Sequence, residues 1–517
     1  MSATLIQLKN RESVWAPLHD AIVIGKDILE LLSSSMYVDP LTIYREYVQN
    51  AADAIDEARA TGVINADDPG RVEITLSMDQ RTVHIRDNGA GVPEKDFEQR
   101  LTSFGASKKR GTNARGFRGV GRLAGIGSCQ ELIFRARAEG QRRISELRWD
   151  CKALKALLRS AENARDLSGT VSEVVTIRTI DDPTYPSHFF EVELRGLIRQ
   201  RNDQLLNPTA ISDYLAQVAP VPFSSDFCHA SEITKHIREH VHLGDLQITV
   251  SGLQGPITRP HGTGIQLPDG EVDPFLDMDL ITVPGLDAGI AAVGWIAHHG
   301  YTGALPASCG VRGVRLRVGN IQIGDERLLE EIFPESRFNA WSVGEIHVLD
   351  SRVTPNGRRD HFEQNTHYQN LLTHLSPPAR EIARRCRTSS LHRKWERDFD
   401  LAERAIKEKV LIVRQGATTR STRKQLVHEI RLTFKGLEQL ANRPALPTDL
   451  RVLFQRRLEQ LSRSITKLAS VVRTLPSHAL TARQRRVIDL IFQCSPNQAA
   501  AKLLVDKIVE RLDLETD

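Results

Sequence analysis

Apolar and polar residues alternate along the chain in blocks that predict both helices and strands. Residues 22–60 have a helical period and are expected to form two helices that break at Asp39-Pro40, because proline disfavours helical backbone in the residue before it. The stretches "RVEITLSM" and "RTVHIRD" alternate with period two around a short polar pair, which predicts a β-hairpin. Residues 170–180 are expected to form a further strand. Helices and antiparallel strands in separate blocks indicate an α+β fold with a helical layer on a sheet.

The second half of the chain changes from strand-like to helical patterning. Strands are predicted between residues 245 and 350, and the sequence is almost entirely helical and charged after residue 390. Five apolar residues near the C-terminus recur in steps of four and three, namely Leu461, Ile465, Leu468, Val472 and Leu475. This spacing is typical of a coiled-coil seam, which suggests a homodimer, and equally of an antiparallel helical hairpin inside one subunit.

Composition places the chain among water-soluble globular proteins. Its 517 residues favour several domains, and apolar residues make up 40% against 26% charged. No run of about 18 apolar residues is present, and the N-terminal segment lacks the apolar core of a secretory signal, so we expect a cytoplasmic location and no membrane partner. The six cysteines are scattered without a close pair, which argues against a disulfide framework or a zinc site and predicts reduced packing residues.

Positive charge is concentrated in one part of the chain. The formal net charge of the whole chain is only +4, yet residues 411–490 contain 16 Lys/Arg against 5 Asp/Glu. This segment favours an anionic partner such as nucleic acid, or forms a well-solvated helical surface. The sequence leaves both interpretations open.

Three polar residues share one face of the second predicted helix. Glu46, Asn50 and Asp53 occur at positions i, i+4 and i+7, while apolar residues occupy another face. An asparagine one turn beyond a glutamate can hold Mg²⁺ beside a carboxylate that activates water. The alternative is a solvated polar stripe.

A carboxylate and two glycines follow the predicted hairpin. Asp87 ends the second strand in "IRDNGAGVP", and Gly89 and Gly91 lack side chains that would keep a flat ligand away from the backbone. A simple turn after a hairpin would show the same residues.

A glycine-rich stretch, "GFRGVGRLAGIG", covers residues 116–127. Gly116, Gly119 and Gly121 allow the backbone to expose successive N–H groups to a phosphate, although three glycines also occur in ordinary turns. Just before it, "SFGASKKRG" supplies Ser107 and Lys108. Later, Gly169 and Thr170 stand at the expected start of a strand.

Taken in this order, the motifs resemble those of the GHKL ATPases, the gyrase, heat-shock chaperone, histidine kinase and MutL proteins that share the Bergerat nucleotide-binding fold. The motifs are E-x-x-x-N-x-x-D-A, D-x-G-x-G, G-x-x-G-x-G and a late G-T. The resemblance implies that ATP and Mg²⁺ bind here. By it, Glu46 is the general base, Asn50 binds Mg²⁺, and Asp87 accepts a hydrogen bond from the adenine amino group, with Thr170 assisting through water. The other residues assigned to the nucleotide are Asp53, Gly89, Gly91, Ser107, Lys108, Gly116, Gly119, Val120 and Gly121.

Two longer stretches resemble the ninety-kilodalton heat-shock chaperones. Residues 36–59 are similar to a helix pair of that family, and residues 313–365 to its middle domain. In the second stretch, Arg359 falls on the family's arginine that reaches the γ-phosphate, where a guanidinium would stabilise the charge of phosphoryl transfer. The sequence of the glycine-rich stretch is closer to that of the MutL mismatch-repair ATPases. The segment between Ser107 and Gly116 is shorter than the ATP lid of the chaperones.

The resemblance implies a three-part organisation. A Bergerat α/β sandwich ATP-binding domain is expected over residues 1–200, an α/β transducer or middle domain over 201–385, and an all-helical C-terminal region over 386–517. The activity expected is that of an ATPase, a chaperone-like clamp that hydrolyses ATP to drive domain docking, as a homodimer with a protein client or an operon partner. The alternative is a MutL- or MORC-like clamp that acts on nucleic acid through residues 411–490.

Overall fold

The computed structural model describes residues 39–103, 121–159, 167–199, 201–267, 270–415, 420–473, 482–495, 500–505 and 507–508. The chain divides into two compact units, Met1–Arg384 and Arg385–Asp517. The first of the two predicted N-terminal helices lies outside the described residues. Within them, none of the helices is both long enough and apolar enough to cross a bilayer.

The first unit contains a seven-stranded sheet. Its strand order is β5-β4-β3-β6-β2-β1-β7; the pair β1 and β7 is parallel, and the other neighbours are antiparallel. The predicted hairpin is confirmed, with Ile74 opposite Ile85. The strands are β1 Gly70–Ser77, β2 Thr82–Asp87, β3 Glu131–Arg137, β4 Ile144–Asp150, β5 Val175–Ile180, β6 Phe189–Arg195 and β7 Leu246–Val250.

Helices pack against this sheet, and their apolar side chains form one core with those of the strands. Helix α1 begins at Thr42, just after Asp39-Pro40 as predicted, and the Asp39 carboxylate accepts the backbone N–H of Leu41 at 3.0 Å. Val48, Ala52 and Ile55 of α1 are fully buried against the sheet. The helices of this unit are α1 Thr42–Ala60, α2 Glu94–Thr102, α3 Cys151–Arg159, α4 Leu167–Val174, α5 Pro208–Val218 and α6 Ala230–Arg238. A one-turn 3-10 helix, Gly121–Leu123, lies within the glycine-rich stretch.

The first unit also contains a second sheet of five strands, in the order β10-β11-β14-β12-β13. Strands β12 and β14 are parallel, and the other neighbours are antiparallel. The strands in this part of the chain are β8 Gly264–Gln266, β9 Val272–Pro274, β10 Asp277–Pro284, β11 Ile290–His298, β12 Gly313–Val318, β13 Ile321–Ile323 and β14 Val343–Val348, of which β8 and β9 form a separate hairpin. The mixed α/β architecture agrees with the expected fold class.

The described part of the second unit is helical, also as expected. Leu461 and Ile465 pack into the unit's own apolar core beside Phe399 and Phe454. The described beginning of the predicted seam therefore contacts residues of the same chain. Helix α7, Thr366–Arg414, begins in the first unit and continues into the second. The other helices are α8 Arg420–Ala441, α9 Thr448–Arg473 and α10 Ala482–Cys494.

The prediction of one strand over residues 170–180 is wrong in its first half. Gly169 and Thr170 lie in α4, and the strand β5 begins only at Val175. β-branched residues favoured a strand, but Leu167, Val171 and Val174 have helical spacing and pack on the core. Tertiary packing of that face outweighs the local preference.

Cysteines that are distant along the chain meet in the fold. The sulfur atoms of Cys129 and Cys151 are 3.9 Å apart, and both residues are fully buried. They are free thiols, as are the other four cysteines. The spacing along the chain gave no sign of this pair.

Candidate functional site

The polar face of α1 is buried rather than solvated. Glu46 and Asp53 are each 7% exposed, and Asn50 is half-buried. The Asn50 side chain forms no hydrogen bond with any residue in the described ranges. Because these side chains are buried, the polar face of α1 is not a solvated stripe.

The carboxylate of Glu46 is held between an arginine and a glycine. Arg45 Nη2 lies 3.4 Å from Glu46 Oε1. On the other side, a β-carbon added to Gly121 would lie 2.4 Å from Glu46 Oε2. The start of the 3-10 turn therefore contacts α1 at the proposed general base.

A tyrosine fixes this turn against the helix. The hydroxyl of Tyr47 donates to the Arg122 carbonyl oxygen at 3.2 Å and accepts the backbone N–H of Gly125 at 3.0 Å. Sequence reasoning missed Tyr47, because an aromatic residue beside a catalytic position looks like any core residue of an amphipathic helix.

The Asp87 carboxylate is buried at the end of β2. Gly89 N–H donates to Oδ1 at 2.9 Å, and a β-carbon on Gly89 would lie 2.7 Å from Ala54. Burial raises the pKa of Asp87 to about 7, and the backbone N–H groups of Gly89 and Phe190 offset only part of that effect. The buried Asp87 carboxylate, beside the glycine backbone, can bind a flat ring that carries a hydrogen-bond donor at its edge.

The helix and the Asp87 loop are joined directly. Ala90 N–H donates to the Ala54 carbonyl oxygen at 3.1 Å, one residue after Asp53. Gly91, with φ of 68°, comes so close to the Arg137 carbonyl oxygen that a β-carbon there would lie 2.1 Å from it. The structure thus brings Glu46, Asn50 and Asp53 of one helix together with Gly121 and with the loop that follows Asp87.

Arg359 also reaches α1, although it follows the second sheet. Its Nη1 donates to Oε1 of Gln49, which is 310 residues away along the chain. Arg45 Nη2 donates to the neighbouring Arg358 carbonyl oxygen at 3.1 Å. Arg45 and Gln49 were not predicted as site residues, because nothing local to the helix indicates which loop it will meet.

Thr170 is not on either strand that lies beside Asp87. Those strands are β1, where Val72 is opposite Asp87, and β6, where Phe190 is opposite it. His188, just before β6, contacts the Gly89 carbonyl oxygen at 2.9 Å. Thr170 lies in α4, which leads into β5 at the edge of the sheet, and three strands separate β5 from β2. The expectation of a strand at Gly169-Thr170 placed this motif in the wrong element. The expected phosphate-loop residues Ser107, Lys108, Gly116, Gly119 and Val120 lie outside the described residues.

A group of possible metal ligands elsewhere on the sheet is already paired with arginines. Ligand atoms of His84, Glu191 and Glu193 lie within 4.8 Å of one another. Arg135 donates to Glu191 at 2.8 Å and lies 2.7 Å from Glu193. These carboxylates therefore belong to a buried ionic network rather than to the nucleotide site.

The fold and the site resemble a GHKL-type ATP-binding domain: a helical layer on a mainly antiparallel sheet, with Glu46 and Asn50 on the helix and a buried aspartate at a strand end. Residues 42–171 match the family of histidine kinase-, DNA gyrase B- and HSP90-like ATPases. Within this superfamily the chain resembles the ninety-kilodalton heat-shock chaperones.

Curated relatives carry the name chaperone protein HtpG. The chain is 34% identical to that of Chlorobium phaeobacteroides over 92 residues, which are 17% of this chain and 14% of the relative. It is 23% identical to that of Clostridium acetobutylicum over 200 residues, or 36% of this chain and 31% of the relative. It is 27% identical to that of Citrobacter koseri over 142 residues, which are 24% of this chain and 23% of the relative. Each match covers less than a third of the relative's length.

Proposed function

We propose that this protein hydrolyses ATP and acts as a chaperone-like clamp. The nucleotide would control docking on α1 of the second-sheet domain, the part of the first unit that contains strands β10 to β14. The observation that carries the proposal is the contact of Arg359 with Gln49, three residues after Glu46. It brings a cation from a distant part of the chain to the helix that bears the general base. A guanidinium in that position stabilises the charge that develops on the γ-phosphate.

Each residue of the site has a chemical role in this proposal. Glu46 accepts the proton of the attacking water, held by Arg45 on one side and by the Gly121 turn on the other. Asp87 accepts a hydrogen bond from the adenine amino group, and Asp53 also takes part in nucleotide binding. Asn50 offers an amide oxygen that would hold Mg²⁺. When bound, Mg²⁺ neutralises charge on the phosphate oxygens.

Hydrolysis can be separated from binding by changing the general base. In Glu46→Gln the amide cannot accept the water proton, so steady-state ATP hydrolysis should fall by about 100-fold or more. Calorimetry should still detect Mg·ATP binding, because Asp87 and Asn50 are unchanged. Hydrolysis at the wild-type rate in Glu46→Gln would remove Glu46 from the mechanism and with it this proposal.

The chaperone-like part of the proposal comes from the relatives, which are named chaperone protein HtpG. We expect ATP-dependent suppression of aggregation of a thermally unfolded test protein, which Glu46→Gln lacks. A homodimer is also proposed, and light scattering after gel filtration measures it. If suppression of aggregation is equal with and without ATP, the chaperone-like part of the proposal is wrong and the ATPase part is unaffected.

A second candidate function is a clamp on nucleic acid. Helix α8 carries exposed Lys424, Arg431 and Lys435 at positions i, i+7 and i+11, on one face of the helix. Within the described ranges these three cations form no ion pair, whereas Lys409 pairs with Glu429 at 2.7 Å. Unpaired cations in a row fit the phosphates of a nucleic-acid backbone.

A further inference from the structure

Gln49 occupies an unusual place on α1. It is only 1% exposed, and it lies between Glu46 and Asn50, the proposed base and the proposed Mg²⁺ ligand. A buried amide needs hydrogen-bond partners, and the Oε1 atom of Gln49 accepts from Arg359 Nη1. Its neighbour one turn earlier, Arg45, donates to the Arg358 carbonyl oxygen at 3.1 Å. Two residues one helical turn apart therefore hold two consecutive residues of the same loop.

The backbone of Arg359 is fixed from the other side. Its N–H donates to the Asn356 carbonyl oxygen at 3.2 Å, and its carbonyl oxygen accepts from Gly324 N–H at 2.8 Å, just after β13. Arg359 has φ of 57°, in the left-handed region that a non-glycine residue adopts only when its surroundings hold it there. The second-sheet domain thus fixes the backbone, while α1 contacts the side chain.

We propose that Gln49 is the positioning residue for Arg359, and that its amide oxygen fixes the guanidinium beside the γ-phosphate position. This inference rests on the proposed ATPase function. An amide is suited to the task because it accepts a hydrogen bond from a guanidinium without cancelling its charge. A carboxylate at position 49 would bind Arg359 more strongly but would neutralise the cation that stabilises the transition state.

Positioning matters here because arginine is long and flexible. A free arginine side chain loses much rotamer entropy when it is fixed, and that loss adds to the barrier if it occurs at the chemical step. A contact that fixes the side chain beforehand removes that part of the barrier. Gln49 is therefore expected to affect turnover more than nucleotide affinity.

The test uses a substitution that keeps the volume of the side chain. Gln49→Met removes the acceptor oxygen with little change in shape, and kcat for ATP should fall by about 10-fold, the loss expected for one hydrogen bond to a charged group. KM for ATP should stay within about twofold, because Gln49 is assigned no contact with the nucleotide. Glu57→Gln, an exposed change on the same helix, is the matched control and should keep wild-type kinetics. Gln49→Ala is the second variant if Gln49→Met does not fold.

A double-mutant cycle separates positioning from a general structural effect. In an Arg359→Ala background, adding Gln49→Met should change kcat by less than about twofold, because the residue to be positioned is already absent. A further loss of about 10-fold in that background would overturn the inference about Gln49 but not the proposed function. The same holds if both Gln49 variants keep the wild-type kcat while Arg359→Ala is impaired. A wild-type kcat for Arg359→Ala itself would instead overturn the proposed function.

Discussion

Gly121 lies directly against the carboxylate of Glu46, where an added β-carbon would be 2.4 Å from Oε2. The backbone of Gly121 is not in the left-handed region, so the glycine is needed for this close approach and not for an unusual backbone conformation. The Gly121 backbone therefore leaves no room for a side chain beside the carboxylate of the proposed base.

Gly121→Ala should consequently impair hydrolysis. The new methyl group forces Glu46 or the turn to move, and a displaced base should lower kcat by roughly 10-fold or more. The control is Gly262→Ala, where no atom lies within 4 Å of the added carbon. Steady-state ATPase rates of both variants test this, and wild-type turnover in Gly121→Ala would show that the contact has no catalytic role.

Nucleotide binding should depend on pH through Asp87. Burial raises the pKa of Asp87 from 3.8 to about 7, and the adenine amino group donates a stronger hydrogen bond to the ionised carboxylate than to the neutral acid. Affinity for ATP should therefore increase as pH rises through about 7, with release of a proton on binding. Calorimetry in two buffers of different ionisation enthalpy measures that proton.

The control for this pH dependence is Asp87→Asn, which should bind more weakly and lose the dependence. For folding the sign is opposite: the neutral acid stabilises the free protein fully below about pH 4, and this contribution is lost as pH rises through about 7. An affinity that is constant between about pH 6 and about pH 8, without proton release, would contradict the assignment.

The buried ionic network on the first sheet should be important for stability. Arg135 contacts Glu146 at 2.6 Å, Glu191 at 2.8 Å and Glu193 at 2.7 Å. Arg135→Ala leaves three buried carboxylates without their central cation and should lower the free energy of unfolding by about 3–5 kcal/mol. Urea denaturation measures it, with Arg142→Ala, at an 87% exposed side chain, as the control that should remain near wild type.

Acid should weaken the same network. Burial alone would raise the pKa of Glu191, but His84, Arg86 and Arg135 outweigh it and hold the pKa at about 2. A depressed pKa of this kind stabilises the fold above the unfolded value of 4.5, and the contribution is lost as pH falls towards about 2. Glu191→Gln should therefore be less stable than the wild type at neutral pH and should lose less stability on acidification.

The second candidate function predicts salt-dependent binding. In gel shifts with duplex DNA, affinity should fall steeply as salt rises, and exchanging Lys424, Arg431 and Lys435 for glutamate should weaken it by about 10-fold or more. Arg142→Glu, an exposed cation of the first unit, serves as the control. Absence of binding by the wild type even at low salt would eliminate this function.

Local patterns predicted the elements that depend on a single stretch of chain. The period-two alternation gave the hairpin of β1 and β2, and Pro40 marked the beginning of α1. The segment around Thr170 failed, because β-branched residues were weighed without the sheet on which their helical face packs. The Cys129 and Cys151 pair was equally invisible, since 22 residues separate the two thiols.

The sequence by itself determined which chemical groups share the face of α1, because the spacing of Glu46, Asn50 and Asp53 follows from helical geometry alone. Only the tertiary structure decided what meets that face: the Gly121 turn at Glu46, and Arg359 at Gln49 from 310 residues away. It also decided that Asp87 is buried, and hence its raised pKa. Helical spacing is a property of neighbouring residues, whereas contacts and burial depend on the packing of the whole unit.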